Sequence, residues 1–208
     1  MKVATIITAR GGSKSIYKKN IITINGIPLI GYPIKASKNS KFVSETFVDT
    51  DCESIEKIAL HLGAKSIKRP KYLAGDDVSH GDVIRYSCKE ALKTNNFDIF
   101  VILLGNTVMI ETQLIDQSIN LLIKNKEASG VCSVWKAADD HPQRAMEINN
   151  GYLYSHRSVN KQEGATTDRS SYLPAYFYDQ GVWAFRSSNL NKCKNGPATW
   201  DWLGNKVI

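Results

Sequence analysis

Apolar segments alternate with amphipathic helical segments over the first 134 residues, and this alternation constrains the fold more than any other feature. The β-branched run Val3–Thr8 predicts a buried strand, and the run 98–104 (DIFVILL) predicts a central strand that is apolar on both faces. Residues 52–62 predict a helix, because their apolar positions recur at helical spacing. Strands that alternate with helices require right-handed crossovers. The sequence therefore predicts an α/β, Rossmann-like fold with three αβα layers and a mainly parallel sheet.

The alternation stops near residue 137. From there to about residue 178 the chain is polar, rich in Asp, Asn, Arg and Tyr, and without helical period. A later apolar run, 181–185, predicts another strand of the main sheet. We therefore interpret 137–178 as an arm inserted between two strands of a single domain that spans residues 1–208.

Several classes of protein are excluded by composition. No stretch reaches the roughly 18 apolar residues that a membrane helix needs, and the apolar run at the N-terminus is too short for a signal peptide. The four cysteines are widely spaced and form no CxxC pair, which is typical of reduced thiols. We therefore expect a cytoplasmic protein that does not associate with membranes.

The positive charge is concentrated near the N-terminus. Residues 1–44 carry eight lysines and arginines and no acidic residue, although the net charge of the whole chain is only +7. A one-signed field at one end of a sheet attracts polyanions such as nucleotide triphosphates. A solvated lysine face remains the alternative for Lys35, Lys38 and Lys41. Nucleic acid is not an expected partner, because no recognition-helix or RNP pattern accompanies the charge.

The loop after the first predicted strand combines two adjacent glycines with four cations. Gly11 and Gly12 are followed by a serine and three lysines. The four cations lie within ten residues: Arg10, Lys14, Lys18 and Lys19. The loop is neither a Walker A motif nor a dinucleotide fingerprint. Its backbone amides can form an anion nest, and Arg and Lys suit phosphate oxygens. The sequence predicts phosphate binding here; a plain strand-to-helix turn is the alternative.

This loop and later motifs resemble the N-acylneuraminate cytidylyltransferases and their relatives for legionaminic, pseudaminic and 3-deoxy-octulosonic acids. The resemblance covers roughly residues 1–190, at ARGGSK…KN (9–20), NGIPLI (25–30), VDTD (48–51), 69–79, 141–142, 169–174 and 180–181. It implies a nucleotidyltransferase with a GT-A-like fold that activates an eight- or nine-carbon α-keto sugar acid with CTP for surface glycan synthesis. It further implies Mg²⁺ as cofactor and a homodimer in which the arm completes the partner's sugar site.

The resemblance assigns roles only to matching residues. By the resemblance, the expected catalytic residues are Arg10, Lys14 and Lys19. They would hold the triphosphate and stabilise the leaving pyrophosphate. The expected nucleotide-binding residues are Ala9, Gly11, Gly12, Ser13, Asn20, Arg69 and Ser79, with Arg69 reading the pyrimidine. The expected sugar-binding residues are Thr107, Arg144, Arg169 and Gln180. The two arginines of the arm would clamp the sugar carboxylate or, alternatively, form salt bridges within the arm.

Two departures from the family pattern bear on function. Of the family's QPTSPLR only Thr107 is kept, and the expected glutamine is lost at Gly105. This loss favours a related acid over sialic acid itself, and it leaves open a non-catalytic nucleotide-binding relative or a sugar nucleotidyltransferase with another base or sugar. The C-terminal carboxylate pair that binds Mg²⁺ in the family is not found before Ile208. No metal ligand is therefore assigned, and we expect the ligands beyond residue 208.

Other polar residues near the predicted sheet edge receive non-catalytic interpretations. Asp49 and Asp51 could serve a metal, but we expect Asp51 to cap the helix that starts near Cys52. His80 and His141 lie in predicted loops, where surface or capping roles are favoured over catalysis.

Overall fold

The computed structural model describes residues 1–13, 16–156, 171–191, 196–197 and 200–208. The described chain forms two compact units. The main unit comprises Met1–Ser133 and Gln180–Ile208, and the second unit comprises Val134–Asp179. The predicted arm, 137–178, lies within the second unit, and its role in dimerisation stays a prediction.

Up to residue 136, the strands of the central sheet alternate with α-helices, as predicted. The strands are β1 (Val3–Thr8), β2 (Thr23–Ile24), β3 (Ile27–Pro28), β4 (Val43–Thr50), β5 (Lys65–Lys68), β6 (Ile99–Leu104), β7 (Gly130–Lys136), β8 (Met146–Asn149), β9 (Tyr152–Ser155) and β10 (Tyr176–Arg186). The α-helices are α1 (Gly31–Lys38), α2 (Glu53–His61), α3 (His80–Leu92) and α4 (Thr112–Lys124). Short 3₁₀ turns are Lys19–Ile21, Lys71–Leu73, Pro142–Arg144, Ser187–Asn191 and Asp201–Leu203.

The central sheet has six strands in the order β5-β4-β1-β6-β10-β7. β1 is parallel to both β4 and β6, β4 is parallel to β5, and β10 is antiparallel to β6. The predicted mainly parallel α/β sheet is confirmed. Because β4 and β6 lie on opposite sides of β1, the strand order reverses at β1. The carboxyl ends of β1 and β6 therefore border the topological switch point, where ligands bind in open α/β sheets.

Both faces of the sheet are covered, which explains the continuous apolar runs of the central strands. In β1, Val3 and Ile7 pack into a cluster with α1, α2 and α4, whereas Ala4 and Ile6 pack into a second cluster with α3. Trp202, in the last 3₁₀ turn, joins the α3 side and is fully buried. These two cores separate the three layers. None of the described helices has the length and apolarity that a membrane span requires.

The second unit contains an antiparallel hairpin formed by β8 and β9. His141 precedes the 3₁₀ turn Pro142–Arg144, and its ring accepts a hydrogen bond from the Gln143 N–H at 3.2 Å. The same ring stacks on Tyr172 with a centroid separation of 4.7 Å. The predicted capping role of His141 is confirmed.

Candidate functional site

A cavity of about 290 Å³ lies at the carboxyl end of β1. Its described lining residues are Thr8, Arg10, Gly12, Ser13, Lys19, Asn20 and Asn106, with no acidic side chain among them. They come from the end of β1, the loop that follows it, and the segment after β6. The structure thus brings five of the predicted phosphate-loop residues together at the switch point, and the wall they form carries positive charge.

The glycine pair lets the loop fold closely against the start of α2. The Gly11 N–H donates to Asp51 Oδ1 at 2.8 Å, and a Cβ at position 11 would lie 2.7 Å from the Cβ of Cys52. A larger residue at this position would therefore push the loop away from α2. Gly12 faces open space. The prediction that Asp51 caps α2 is wrong, because Cys52 is the N-cap residue and Asp51 accepts from the loop instead.

Buried neighbours fix the two ends of the loop. At its start, the Ala9 N–H donates to the Asp49 carbonyl at 2.9 Å, in continuation of the β1–β4 ladder. At its end, Asn20 is only 7% exposed, and its Nδ2 donates to the Arg10 carbonyl at 2.9 Å. Lys19 precedes Asn20 in a 3₁₀ turn and reaches the cavity. Asn20 therefore holds the backbone that carries Arg10.

Arg10 is held by the segment between β5 and α3. Its Nη1 lies 2.7 Å from Asp76 Oδ1 and also donates to the Gly75 carbonyl at 3.4 Å. Both side chains of the ion pair are more than a third exposed. Exposed pairs of this kind contribute only about 0–1 kcal/mol. A phosphate group in the cavity can therefore replace Asp76 as the partner of Arg10.

Arg69 forms a buried ion pair below the sheet edge. Its Nε and Nη2 donate to Asp49 Oδ2 at 2.8 and 2.6 Å, and both side chains are almost fully buried. Burial raises the pKa of the Asp49 carboxyl above its ordinary value, against the opposing effect of the guanidinium. This pair gives Arg69 a positioning role that the sequence did not indicate. Its contact with a pyrimidine stays a prediction.

His80 lies next to the cavity, which the sequence analysis missed. It begins α3, directly after the exposed Ser79, and its Nε2 is hydrogen-bonded to Thr8 Oγ1 at 3.1 Å. Burial, followed by the charge of Arg69, lowers the pKa of His80 to about 4. The imidazole is therefore neutral at pH 7. Its position at the start of the helix after Ser79 was a signal that could have linked it to the sheet edge.

The segment after β6 also supplies a residue that sequence reasoning missed. The Gly105 N–H donates to the Thr8 carbonyl at 3.0 Å, and a Cβ at position 105 would lie 2.7 Å from the Cβ of Ala9. A side chain at position 105 would therefore overlap its neighbours. Asn106 is instead the first side chain of this segment to line the cavity. Thr107 is half-buried, and its N–H donates to the Leu104 carbonyl.

The remaining predicted site residues lie elsewhere. Lys14 and Arg169 fall outside the described residues. Arg144 belongs to the second unit, where its Nη1 lies 2.9 Å from Asp139 Oδ1, as the salt-bridge alternative predicts. Gln180 is exposed in β10, with a φ of 59°. The sugar-binding roles of these residues stay predictions.

The described residues do not provide a recognisable Mg²⁺ site. They contain no group of three or more His, Cys, Asp and Glu side chains that could hold a metal ion. The carboxylates near the cavity already have protein partners: Asp49 binds Arg69, Asp51 accepts from Gly11, and Asp76 binds Arg10. We therefore assign no Mg²⁺ ligand in this part of the chain.

Several known proteins are similar to this chain in sequence. The model of a family described as cytidylyltransferase matches residues 4–196. A pseudaminic acid cytidylyltransferase of Campylobacter jejuni is 32% identical over 194 residues, which cover 90% of this chain and 79% of that protein. A Helicobacter pylori protein named pseudaminic acid cytidylyltransferase and UDP-2,4-diacetamido-2,4,6-trideoxy-β-L-altropyranose hydrolase is 29% identical. That match covers 88% of this chain but only 34% of the longer protein.

A solved structure supports the fold independently. The complex of CMP:2-keto-3-deoxy-manno-octonic acid synthetase with CTP superimposes with a TM-score of 0.67, covering 91% of this chain and 76% of that one. Its sequence identity is 20%, so this likeness concerns the fold alone. The family match spans nearly the whole chain, and the Campylobacter relative is matched over most of its length. The chain therefore belongs to the cytidylyltransferase family.

Proposed function

We propose that this protein transfers CMP from CTP to an eight- or nine-carbon α-keto sugar acid and releases pyrophosphate. The observation that carries the proposal is the basic cavity at the switch point, with Arg10 and Lys19 beside the backbone of Gly12 and Ser13. The names of the relatives support the cytidylyl donor and the class of sugar acid. The product would supply the synthesis of a surface glycan.

The loop provides the groups that a triphosphate needs. Consecutive backbone N–H groups in a glycine turn bind phosphate oxygens, and nearby cations neutralise their charge. Arg10 exchanges its exposed partner Asp76 for phosphate, and Lys19 binds from the opposite end of the loop. Lys14 is proposed as a third cation, on the strength of its place in the loop sequence.

The reaction needs no covalent enzyme intermediate. The anomeric hydroxyl oxygen of the sugar acid attacks the α-phosphorus of CTP, and its proton is released to water. The bond from the α-phosphorus to the bridging oxygen breaks, and pyrophosphate leaves with the electron pair. Positioning and charge neutralisation provide most of the catalysis in phosphoryl transfer. Arg10 and Lys19 would stabilise the charge that develops on the leaving group, while Asn106, on the β6 side of the cavity, faces the incoming sugar acid.

We further propose that the second unit mediates formation of a homodimer. Its β8–β9 hairpin exposes large apolar side chains, namely those of Met146, Ile148, Tyr152, Leu153 and Tyr154. By the register, Met146, Ile148 and Leu153 share one face of the hairpin. Exposed apolar surface of this kind is typical of protein interfaces. The substitution Ile148→Asp would then produce monomers in light scattering, whereas an unchanged mass would contradict this part of the proposal.

We place the protein in the cytoplasm, where CTP is available. The described cysteines Cys52, Cys88 and Cys132 are all free thiols, as expected for a reducing compartment.

An activity assay with two lysine variants tests the assignment. The protein is incubated with CTP, Mg²⁺ and one sugar acid at a time, and pyrophosphate release is followed. We expect Lys19→Ala to lower turnover by at least about 100-fold, as removal of one transition-state donor does. Lys124→Ala is the matched control, because this lysine is exposed at the end of α4. Equal turnover of both variants would show that the loop does not perform the chemistry.

The same assay separates the alternatives. A preference for UTP, GTP or ATP over CTP would indicate a different nucleotidyltransferase. Tight CTP binding without pyrophosphate release from any acid would indicate a non-catalytic nucleotide-binding relative.

A further inference from the structure

Thr8 places a neutral hydroxyl in the wall of the cavity, which it shares with two cations and with other neutral polar side chains. It is the last residue of β1 and lines the cavity together with Arg10 and Lys19. A hydroxyl in this position can donate a hydrogen bond to an oxygen atom of a bound nucleotide. Whether it does so depends on the direction in which its proton points. A fixed second partner would determine that direction.

His80 is that second partner. Its Nε2 lies 3.1 Å from Thr8 Oγ1, although 72 residues separate the two in sequence. The start of α3, which carries His80, packs against the 3₁₀ turn Asp201–Leu203. Gly81 lies so close to Trp202 that a Cβ added to it would be 3.3 Å from Trp202 Cδ1. One turn further along α3, Arg85 Nη2 lies 2.6 Å from Asp201 Oδ2. The imidazole is therefore held by packed elements rather than by a loop.

Burial, and after it the positive charge of Arg69, favour the neutral form of His80. Arg69 is itself fixed by Asp49, and Thr8 contributes no charge. A neutral imidazole has one N–H donor and one acceptor. When Nε2 carries the hydrogen, His80 donates to Thr8, and the Thr8 proton is directed to another acceptor. The cations of the cavity would attract a nucleotide, and an oxygen atom of that nucleotide can then accept the hydrogen bond from Thr8.

We propose that His80 is a positioning residue for nucleotide binding, which acts by donating a hydrogen bond to Thr8 and thereby directs the Thr8 hydroxyl to CTP. This inference rests on the proposed function, because it takes CTP as the ligand of the cavity. His80 itself does not touch the reacting atoms. Its effect is on the affinity for the nucleotide, and it passes through Thr8.

A double-mutant cycle on CTP binding tests the proposal. The variants are Thr8→Val, His80→Ala and their combination, and the dissociation constant for CTP is measured by calorimetry. Each single substitution is expected to weaken binding by about threefold to tenfold, the effect of one hydrogen bond. The double variant is expected to bind CTP as tightly as the single variant with the lower affinity, because both substitutions remove the same interaction.

Two further variants distinguish positioning from a structural role. His80→Gln keeps an N–H donor near the Nε2 position and is expected to restore affinity to within about threefold of the unsubstituted protein. His61→Ala is the matched control, because His61 is exposed at the end of α2. A purely structural role would lower the melting temperature of His80→Ala without changing the affinity of the folded protein for CTP.

The outcomes separate this proposal from the proposed function. The role of His80 would be overturned if the effects of the two substitutions on CTP affinity were additive, or if neither substitution changed that affinity. If the effects were non-additive as expected but no CMP-sugar formed, His80 would be supported as a positioning residue and cytidylyl transfer would be contradicted. A protein that does not bind CTP at all would overturn both.

Discussion

The neutral state of the half-buried His80 predicts a measurable dependence of stability on pH. The pKa of His80 is about 4 in the folded protein, against an ordinary value of 6.5 in the unfolded chain. Between these two values the unfolded state binds a proton that the folded state does not. The free energy of unfolding therefore falls as the pH is lowered from about 6.5 to about 4, and His80 causes no further loss below that range.

The pKa difference fixes the size of the effect. One pKa unit corresponds to about 1.4 kcal/mol, so the full loss is about 3 kcal/mol, of which about 2 kcal/mol is reached by pH 5. Urea unfolding of the protein and of His80→Gln at pH 7 and pH 5 isolates this contribution. The other titrating groups are shared by both proteins, so most of their contribution cancels. His61→Gln serves as the exposed control.

The expected result is that His80→Gln gains about 2 kcal/mol relative to the unsubstituted protein when the pH is lowered from 7 to 5. The control His61→Gln should show almost no such gain. If the stability difference between the protein and His80→Gln were the same at both pH values, His80 would not be held neutral beside Arg69. The geometry argued for the cavity wall would then be wrong.

Three further substitutions probe the scaffold of the site, each by urea unfolding. Arg69→Leu should lower the free energy of unfolding by about 3–5 kcal/mol, because it leaves the buried Asp49 carboxylate unpaired; a loss below 1 kcal/mol would place this pair in contact with water. Gly105→Ala should cost about 1–3 kcal/mol through overlap with Ala9, and an unchanged stability would mean that the two segments are not tightly packed. Gln180→Asn should stabilise the protein by about 0.5 kcal/mol, since asparagine tolerates the φ of 59° better; a loss of stability would show that the glutamine side chain makes a compensating contact.

The predictable parts of the fold are the strands and helices whose burial leaves a pattern within their own segment of the sequence. The runs that became β1 and β6 are buried on both faces, so their apolar character is continuous and visible in the sequence. The helix predicted at 52–62 is α2, because one face of it packs against the sheet and leaves a periodic pattern. These signals sufficed to place the phosphate loop at the carboxyl edge of the sheet.

Strand direction and the shortest strands were not predictable in the same way. The run 181–185 correctly predicted a strand, but its antiparallel pairing with β6 depends on the path of the preceding chain and not on local pattern. β2 and β3 contain two residues each, which is too short for any period. The hairpin in the second unit lies in a polar segment without clear alternation.

The positive charge of the site could be predicted from the sequence, but the hydrogen bonds and ion pairs between its side chains could not. Arg10, Lys19 and Asn20 are neighbours in sequence, and the loop composition alone indicated phosphate binding. The contacts of Arg69 with Asp49 and of His80 with Thr8 join residues far apart in the chain, so they emerge only when the strand ends meet. The same holds for Asn106, which follows β6 and lines the cavity together with residues of the loop after β1.

The most direct test of cytidylyl transfer is mass spectrometry of the products formed from CTP, Mg²⁺ and a panel of sugar acids. The panel comprises N-acetylneuraminic, legionaminic, pseudaminic and 3-deoxy-octulosonic acids and the amino variant of the last. We expect a CMP-sugar and an equal amount of pyrophosphate from at least one acid, with CTP preferred over other nucleotides. Unchanged CTP with every acid, from protein shown by calorimetry to bind CTP, would contradict cytidylyl transfer.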